Sequence, residues 1–185
     1  MIPDDEFIMD PHVPGPTKLE VRCLVMCLAG LRGHEVAVDV GCGTGGITLE
    51  LAERASRVYA IDRDPRAISI TGRNLEKHGL GDNVSLMNLD AVEALEGLGE
   101  IDLAVIGGSG GELRRILELA SERLRDGGRI IVTAILLETK YEALRCLRDL
   151  GFEVGITEVS VSRGRMLDRG TMMVAQNPIS IIYTL

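Results

Sequence analysis

An α/β fold is predicted, a doubly wound, mostly parallel sheet that closes in antiparallel strands. Three observations predict it. Short apolar, β-branched runs alternate with stretches of helical periodicity from residue 36 to residue 151. The central runs, Val36–Val40 and Ile101–Ile106, are almost continuously apolar, as strands covered on both faces must be. Beyond residue 152 strand-like runs follow one another without intervening helices, and only antiparallel strands can be joined so briefly. The 185 residues suit one domain, with an N-terminal arm at 1–16 and an antiparallel β tail at 153–185.

The elements follow in order. Met1 to Pro16 carries four of the six prolines and reads as an extended arm. Thr17-Lys18-Leu19-Glu20 has the form of a capping box, with Thr17 at N-cap. It opens a helix with Val21, Leu24, Val25 and Leu28 on one face, ended by Gly30 and Gly33. Cys23 and Cys27 lie one turn apart there and are expected as small buried packers. Strand Val36–Val40 runs into Gly41-Cys42-Gly43-Thr44-Gly45-Gly46, then a helix to about Arg54. Strand Arg57–Ile61 stops at Asp62, and Asp64-Pro65 caps a helix reaching His78-Gly79. Strand Val84–Leu89 stops at Asp90, before a short helix within Ala91–Leu98. Strand Ile101–Ile106 ends in Gly107-Gly108-Ser109-Gly110-Gly111. Leu113, Ile116, Leu117, Ala120 and Leu124 then mark a helix broken by Gly127-Gly128. Strand Arg129–Ile135 and a helix from Glu138 to Leu150 complete the alternation. In the tail, Glu153–Arg163 alternates as a half-exposed strand. Gly164–Gly170 is expected as a polar turn that gathers Arg163, Arg165 and Arg169. Thr171–Ala175 and Ile179–Thr184 read as two more strands around Asn177-Pro178.

Composition narrows the partners. A net charge of −8, with 3% aromatic residues and no Trp, argues against a nucleic-acid groove and an anionic membrane surface. No apolar run is long enough to span a bilayer, and acidic Met1–Asp10 lacks the regions of a signal peptide. A cytoplasmic location with reduced thiols is expected, and no metal site.

The chemistry gathers at the strand ends. A glycine-rich turn between strand and helix brings backbone N–H groups close to a negatively charged ligand group. Its glycines alone fit either a dinucleotide (Gly41, Gly43, Gly46) or S-adenosylmethionine (SAM). Asp39, just before the turn, suits an ammonium group, where a dinucleotide site more often has an apolar residue. Asp62, 21 residues after Gly41, can accept both hydroxyls of a ribose. Asp90 and Ala91 fall where an adenine edge would lie. Three acids on successive strand ends and the antiparallel ending favour SAM over NAD. Cysteine and histidine show no catalytic pattern: His12, His34 and His78 fall in loops or at helix ends, and no catalytic side chain is assigned.

Ile2-Pro3-Asp4-Asp5-Glu6-Phe7, Val13-Pro14-Gly15-Pro16-Thr17-Lys18, Glu20-Val21-Arg22 and Asp39-Val40-Gly41-Cys42-Gly43-Thr44-Gly45 resemble the decarboxylating cobalt-precorrin C15-methyltransferases of anaerobic cobalamin biosynthesis. Gly107–Gly111 and Arg163–Thr171 continue the resemblance, which spans the chain. It implies a Rossmann-like class I methyltransferase fold and SAM contacts at Thr17, Gly41, Cys42, Gly43, Thr44, Gly45, Asp62 and Ala91, and Arg63, next to Asp62, is expected on the cofactor side as well. It further implies methylation at C15 of a carboxylate-rich tetrapyrrole, with loss of carbon dioxide from the C12 acetate, and a homotetramer using the tail as assembly surface. The substrate's carboxylates call for cations: Lys18, Arg22, Arg63, Arg114 and, above all, the cluster Arg163, Arg165 and Arg169. Gly107, Gly108 and Ser109 are expected to face the macrocycle. The alternatives are a methyltransferase of tRNA or protein and a non-catalytic nucleotide-binding protein.

Overall fold

The computed structural model describes all 185 residues. Seven strands form one sheet in the order β3-β2-β1-β4-β5-β9-β6. β1 (Val36–Val40), β2 (Arg57–Ile61), β3 (Val84–Met87), β4 (Ile101–Ile106) and β5 (Leu124–Ala134) pair in parallel. β9 (Ile179–Thr184) runs antiparallel between β5 and β6 (Val154–Val159). The predicted doubly wound sheet with an antiparallel ending is therefore observed.

Helices cover both faces. α1 (Leu19–Ala29) packs Val21, Val25 and Ala29 against Ala37, Ile131 and Ile181 on one face. α4 (Ala91–Gly97), α5 (Leu113–Arg123) and α6 (Leu137–Asp149) pack Leu95, Ile116 and Leu147 against Val38, Ala104 and Ile130 on the other. Successive residues of one strand thus serve opposite layers, which is why the central strands read as unbroken apolar runs. Chain order reverses between β1 and β4, so the loops after these strands face each other at the carboxyl edge.

The arm is ordered by a buried charge. Arg22 on α1 is fully buried, and its guanidinium makes four hydrogen bonds. Nε donates to the Thr17 carbonyl (2.7 Å) and Nη1 to Glu50 Oε1 (2.7 Å) on α2 (Gly46–Ala52). Nη2 donates to the Ile2 carbonyl (2.6 Å) and to Asp4 Oδ1 (2.8 Å). The fork also lies over the Phe7 ring, 5.0 Å from its centroid. Ile2 and Phe7 are buried with Leu49, Ala52 and Leu75. Asn74 on α3 (Pro65–Lys77) holds the next stretch, accepting from Ile8 N–H (2.7 Å) and donating to the Ile8 carbonyl (3.1 Å). The arm, expected to be extended throughout, makes a 3-10 turn at Asp4–Glu6, and these bonds tie it to α1, α2 and α3.

Several expectations need correction. The capping box does not form: Lys18 is the N-cap of α1 without a side-chain cap, and Glu20 reaches Arg163 instead. Cys23 and Cys27 are exposed, because Arg22 and Met26 turn the buried stripe away from them. α2 ends at Ala52 and β3 at Met87, each short of the expected boundary. Leu124 already pairs with Ile101, and the expected break at Gly127-Gly128 is an irregularity inside β5, with Gly127 at φ +77°. The expected strand to Arg163 stops at Val159. The expected polar turn is mostly strand: β7 (Ser162–Leu167) and β8 (Gly170–Ala175) make a separate hairpin whose tip is Asp168-Arg169.

Removing one partner of a buried pair leaves the other charge desolvated, at about 3–5 kcal/mol. Arg22→Met should therefore lower the melting temperature by roughly 10 °C, read by thermal denaturation. Arg22→Met/Glu50→Met should regain part of that loss. An Arg22→Met protein as stable as the unsubstituted one would refute this role of the fork.

Candidate functional site

A cavity of about 1010 Å³ opens along the carboxyl edge of β1, β2, β4 and β5, with the arm as one wall. Its floor is two glycine loops in backbone contact. Gly107 and Gly108 N–H donate to the Val40 carbonyl (2.9 and 3.2 Å), and a Cβ on Gly41 would fall 2.7 Å from Gly108 N. Gly41 also has φ +77°, so side chains are excluded there twice over. On the arm side, a Cβ on Gly46 would lie 2.9 Å from Thr17 N. Thr44 Oγ1 donates to the Pro14 carbonyl, and Asn74 Nδ2 to the Thr44 carbonyl (2.9 Å). Asn74 thus grips arm and loop together.

The strand-end acids sit in different surroundings. Asp39 is buried and accepts from Thr48 Oγ1 (2.6 Å). Burial pushes its carboxyl up to about 7, helped by the nearby Asp62 charge and opposed by the Thr48 hydrogen bond. Asp62 is oriented by two backbone donors, Gly43 N–H on Oδ2 (3.0 Å) and Asp64 N–H on Oδ1 (3.0 Å). Asp90 accepts from Val92 N–H (2.9 Å), capping α4, and lines the cavity as well. Burial keeps the Cys42 thiol well above its usual range, so it stays protonated and serves as a wall, not a nucleophile.

Most expected site residues converge. Thr17, Lys18, Asp39, Gly41, Cys42, Gly43, Thr44, Asp62, Arg63, Asp90, Ala91, Gly107, Gly108 and Ser109 all line this cavity. Gly45 stands behind it, packed against Leu49 and Thr71. No histidine lines it. The expected arginine cluster is split. Arg163 pairs with Asp4 Oδ2 (2.9 Å) and Glu20 Oε2 (2.6 Å), while Arg165 and Arg169 stand farther along the hairpin, and none of the three reaches the wall. Arg22 is consumed by the arm, and Arg114 by Asp149 and Glu118. Thr48, Asn74, Glu138 and Glu142 were not anticipated. Thr48 was visible as the hydroxyl one turn into the helix after the loop. Glu138 and Glu142 were visible as an i, i+4 pair on the helix that leaves the carboxyl end of β5.

Residues 10–184 match the family model described as a precorrin methyltransferase domain. A relative from Methanothermobacter thermautotrophicus is 68% identical over 184 residues, covering 100% of this chain and 96% of its own. The chain belongs to the precorrin methyltransferase family. That relative is described as a probable cobalt-precorrin-6B C(15)-methyltransferase (decarboxylating), as is one from Sulfolobus acidocaldarius, 39% identical over 98% of this chain and 95% of its own. A crystal structure described as precorrin-8W decarboxylase from Methanobacterium thermoautotrophicum matches with a TM-score of 0.98 and 68% identity, covering 100% of this chain and 99% of that one. A precorrin-6Y C5,15-methyltransferase from Geobacter metallireducens gives 0.91 at 32% identity, with 99% and 96% covered. A tRNA (m1A58) methyltransferase from Aquifex aeolicus, at 16% identity, shares the fold alone. Family membership sets aside the tRNA, protein and non-catalytic readings: this is a SAM-dependent methyltransferase.

In this precorrin methyltransferase the geometry of the cavity suits SAM. A buried carboxylate with only one side-chain donor favours a cationic ligand, and that ligand favours its ionised form. SAM affinity should therefore fall as pH drops through about 7, roughly tenfold per unit well below it. Asp39→Asn should weaken binding and flatten that dependence. Calorimetric titrations either side of pH 7 check this; an equally steep slope in Asp39→Asn would assign it to another group.

Proposed function

We propose that this protein transfers the SAM methyl group to C15 of a cobalt-precorrin and removes carbon dioxide from the C12 acetate side chain. The observation that carries this is the 68% identity, over the whole chain, to a relative described by both activities. The geometry suits it. When bound, SAM supplies an electrophilic methyl group on a sulfonium. Asp39 would hold the ammonium side, Thr17 and the loop Gly41–Gly45 the methionine portion, Asp62 the ribose hydroxyls, and Asp90 with Ala91 the adenine edge.

Such transfer depends on alignment and exclusion of water more than on a strong base. A meso carbon of a reduced tetrapyrrole is enamine-like and already nucleophilic, which agrees with a cavity that no histidine lines. In the decarboxylation the C–C bond breaks, carbon dioxide leaves, and the electron pair passes into the conjugated ring before the side-chain carbon takes up a proton. The protein's task is placement. Gly107–Gly111 presents almost no side chains, leaving room for a flat ring beside the cofactor subsite.

The hairpin supports a homotetramer. Met166, Met172 and Met173 are exposed on it, with Met166 at 79%, and a two-stranded ribbon has no core of its own to bury them. Met166 and Met173 each to Asp should give monomers by sedimentation; an unsubstituted protein that is itself monomeric would remove this assembly. No helix is long and apolar enough to cross a membrane, and a biosynthetic role with reduced thiols supports a cytoplasmic location.

Asp62→Ala removes the acceptor for two hydroxyls, about 2–3 kcal/mol, so the Kd for SAM should rise roughly fiftyfold. The activity is read by mass spectrometry of the tetrapyrrole after incubation with SAM. One methyl gained and one carbon dioxide lost is the expected product. Methyl gain without decarboxylation, or no change at all, would contradict the proposal.

A further inference from the structure

The cavity keeps a set of charges that the cofactor does not absorb. Asp39, Asp62 and Asp90 belong to the strand ends β1–β3, and Asp64 is paired with Arg66 (2.9 Å). Four charged wall residues remain: Lys18, Arg63, Glu138 and Glu142. None of their side chains makes an ion pair or a hydrogen bond within the protein, whereas Arg22, Arg66, Arg114 and Arg163 are all paired.

The four are segregated. Lys18 heads α1, on one face of the sheet, and Arg63 lies against the acceptor loop, its Nη1 being 2.8 Å from where a Gly110 Cβ would stand. Glu138 and Glu142 sit one turn apart at the start of α6, on the opposite face. Beside them Ile135 and Leu136 also line the cavity while 64% and 63% exposed. The acceptor part of the cavity is therefore polar in a directional sense, positive at the head of α1 and beyond the end of β2, and negative at α6 beyond β5, with β1 and β4 between those two strands and an uncovered apolar ledge at the negative end.

Resting on the methyl-transfer reading above, we propose that this charge separation selects the orientation of the tetrapyrrole. Its carboxylate-dense margin is drawn to Lys18 and Arg63 and kept away from Glu138 and Glu142, while the ring face lies on Ile135 and Leu136. An attractive and a repulsive element together discriminate orientations better than either alone. On a ring with several similar meso carbons and several acetate arms, orientation decides which carbon meets the methyl donor and which arm loses carbon dioxide.

The test separates the two halves. Lys18→Gln and Arg63→Gln should each raise KM for the cobalt-precorrin about tenfold, and Lys18→Gln should leave the Kd for SAM unchanged, which also certifies folding. Glu138→Gln/Glu142→Gln should keep or lower KM but yield mixed products, with methyl at other ring carbons or without decarboxylation. The products are resolved by carbon NMR after transfer of a labelled methyl group. A single, correct product from the Glu variant, or an unchanged KM in both cation variants, would overturn the orientation proposal while leaving the reaction intact. Failure of the unsubstituted protein to methylate the substrate would instead overturn the reading on which it rests.

Discussion

The site depends on Arg22. A proline-rich arm has little local structure to hold it, since four prolines deny it donors and helical backbone. It is fixed because a buried guanidinium needs several acceptors and finds the arm's own carbonyls at Ile2 and Thr17 together with Asp4 and Glu50. The Thr17 carbonyl is the decisive partner: holding it aligns Pro14–Lys18 along the cavity, two residues before the start of α1. Burying Arg22 and Glu50 is expensive in desolvation, and apolar residues of equal size could stabilise as well. What the fork adds is direction, because only one path of the arm satisfies all its donors.

That constraint extends outward through Arg163. Asp4 accepts from Arg22 on one oxygen and pairs with Arg163 on the other, and Arg163 continues to Glu20. Burial works against the ionised Asp4, but the two guanidinium groups bring its carboxyl below the usual range. Glu20, exposed, is lowered chiefly by its hydrogen bonds from Arg163. The same hairpin that carries the exposed methionines is thus linked to the arm and, through Arg22, to the helix after the glycine loop Gly41–Gly45. An arginine expected at the substrate proves to be part of the scaffold.

Periodicity and turn chemistry made the sheet, its order of elements and the strand-end residues of the cavity legible. Asp39, Asp62 and Asp90 were readable because strand ends in such sheets share one edge, whatever the tertiary detail. The capping box at Thr17 was not, since Glu20 had a stronger partner 143 residues away. The hairpin was misread for a related reason: Ser162–Leu167 has no face against this chain's core, so its pattern carries no period to detect. Cys23 and Cys27 were misplaced because a charged residue, Arg22, occupies the buried stripe that an apolar count assigns elsewhere. Long-range charge pairing defeats local reading in each case where it decides the outcome.

The central claim is that the arm and the three strand-end acids form one SAM site. A crystal structure with S-adenosylhomocysteine measures it directly. The account predicts ribose hydroxyls on Asp62, the amino group directed to Asp39, adenine beside Asp90 and Ala91, and Thr17 of the arm in contact with the methionine portion. A nucleoside bound elsewhere, or bound with the arm displaced from the cavity, would contradict it.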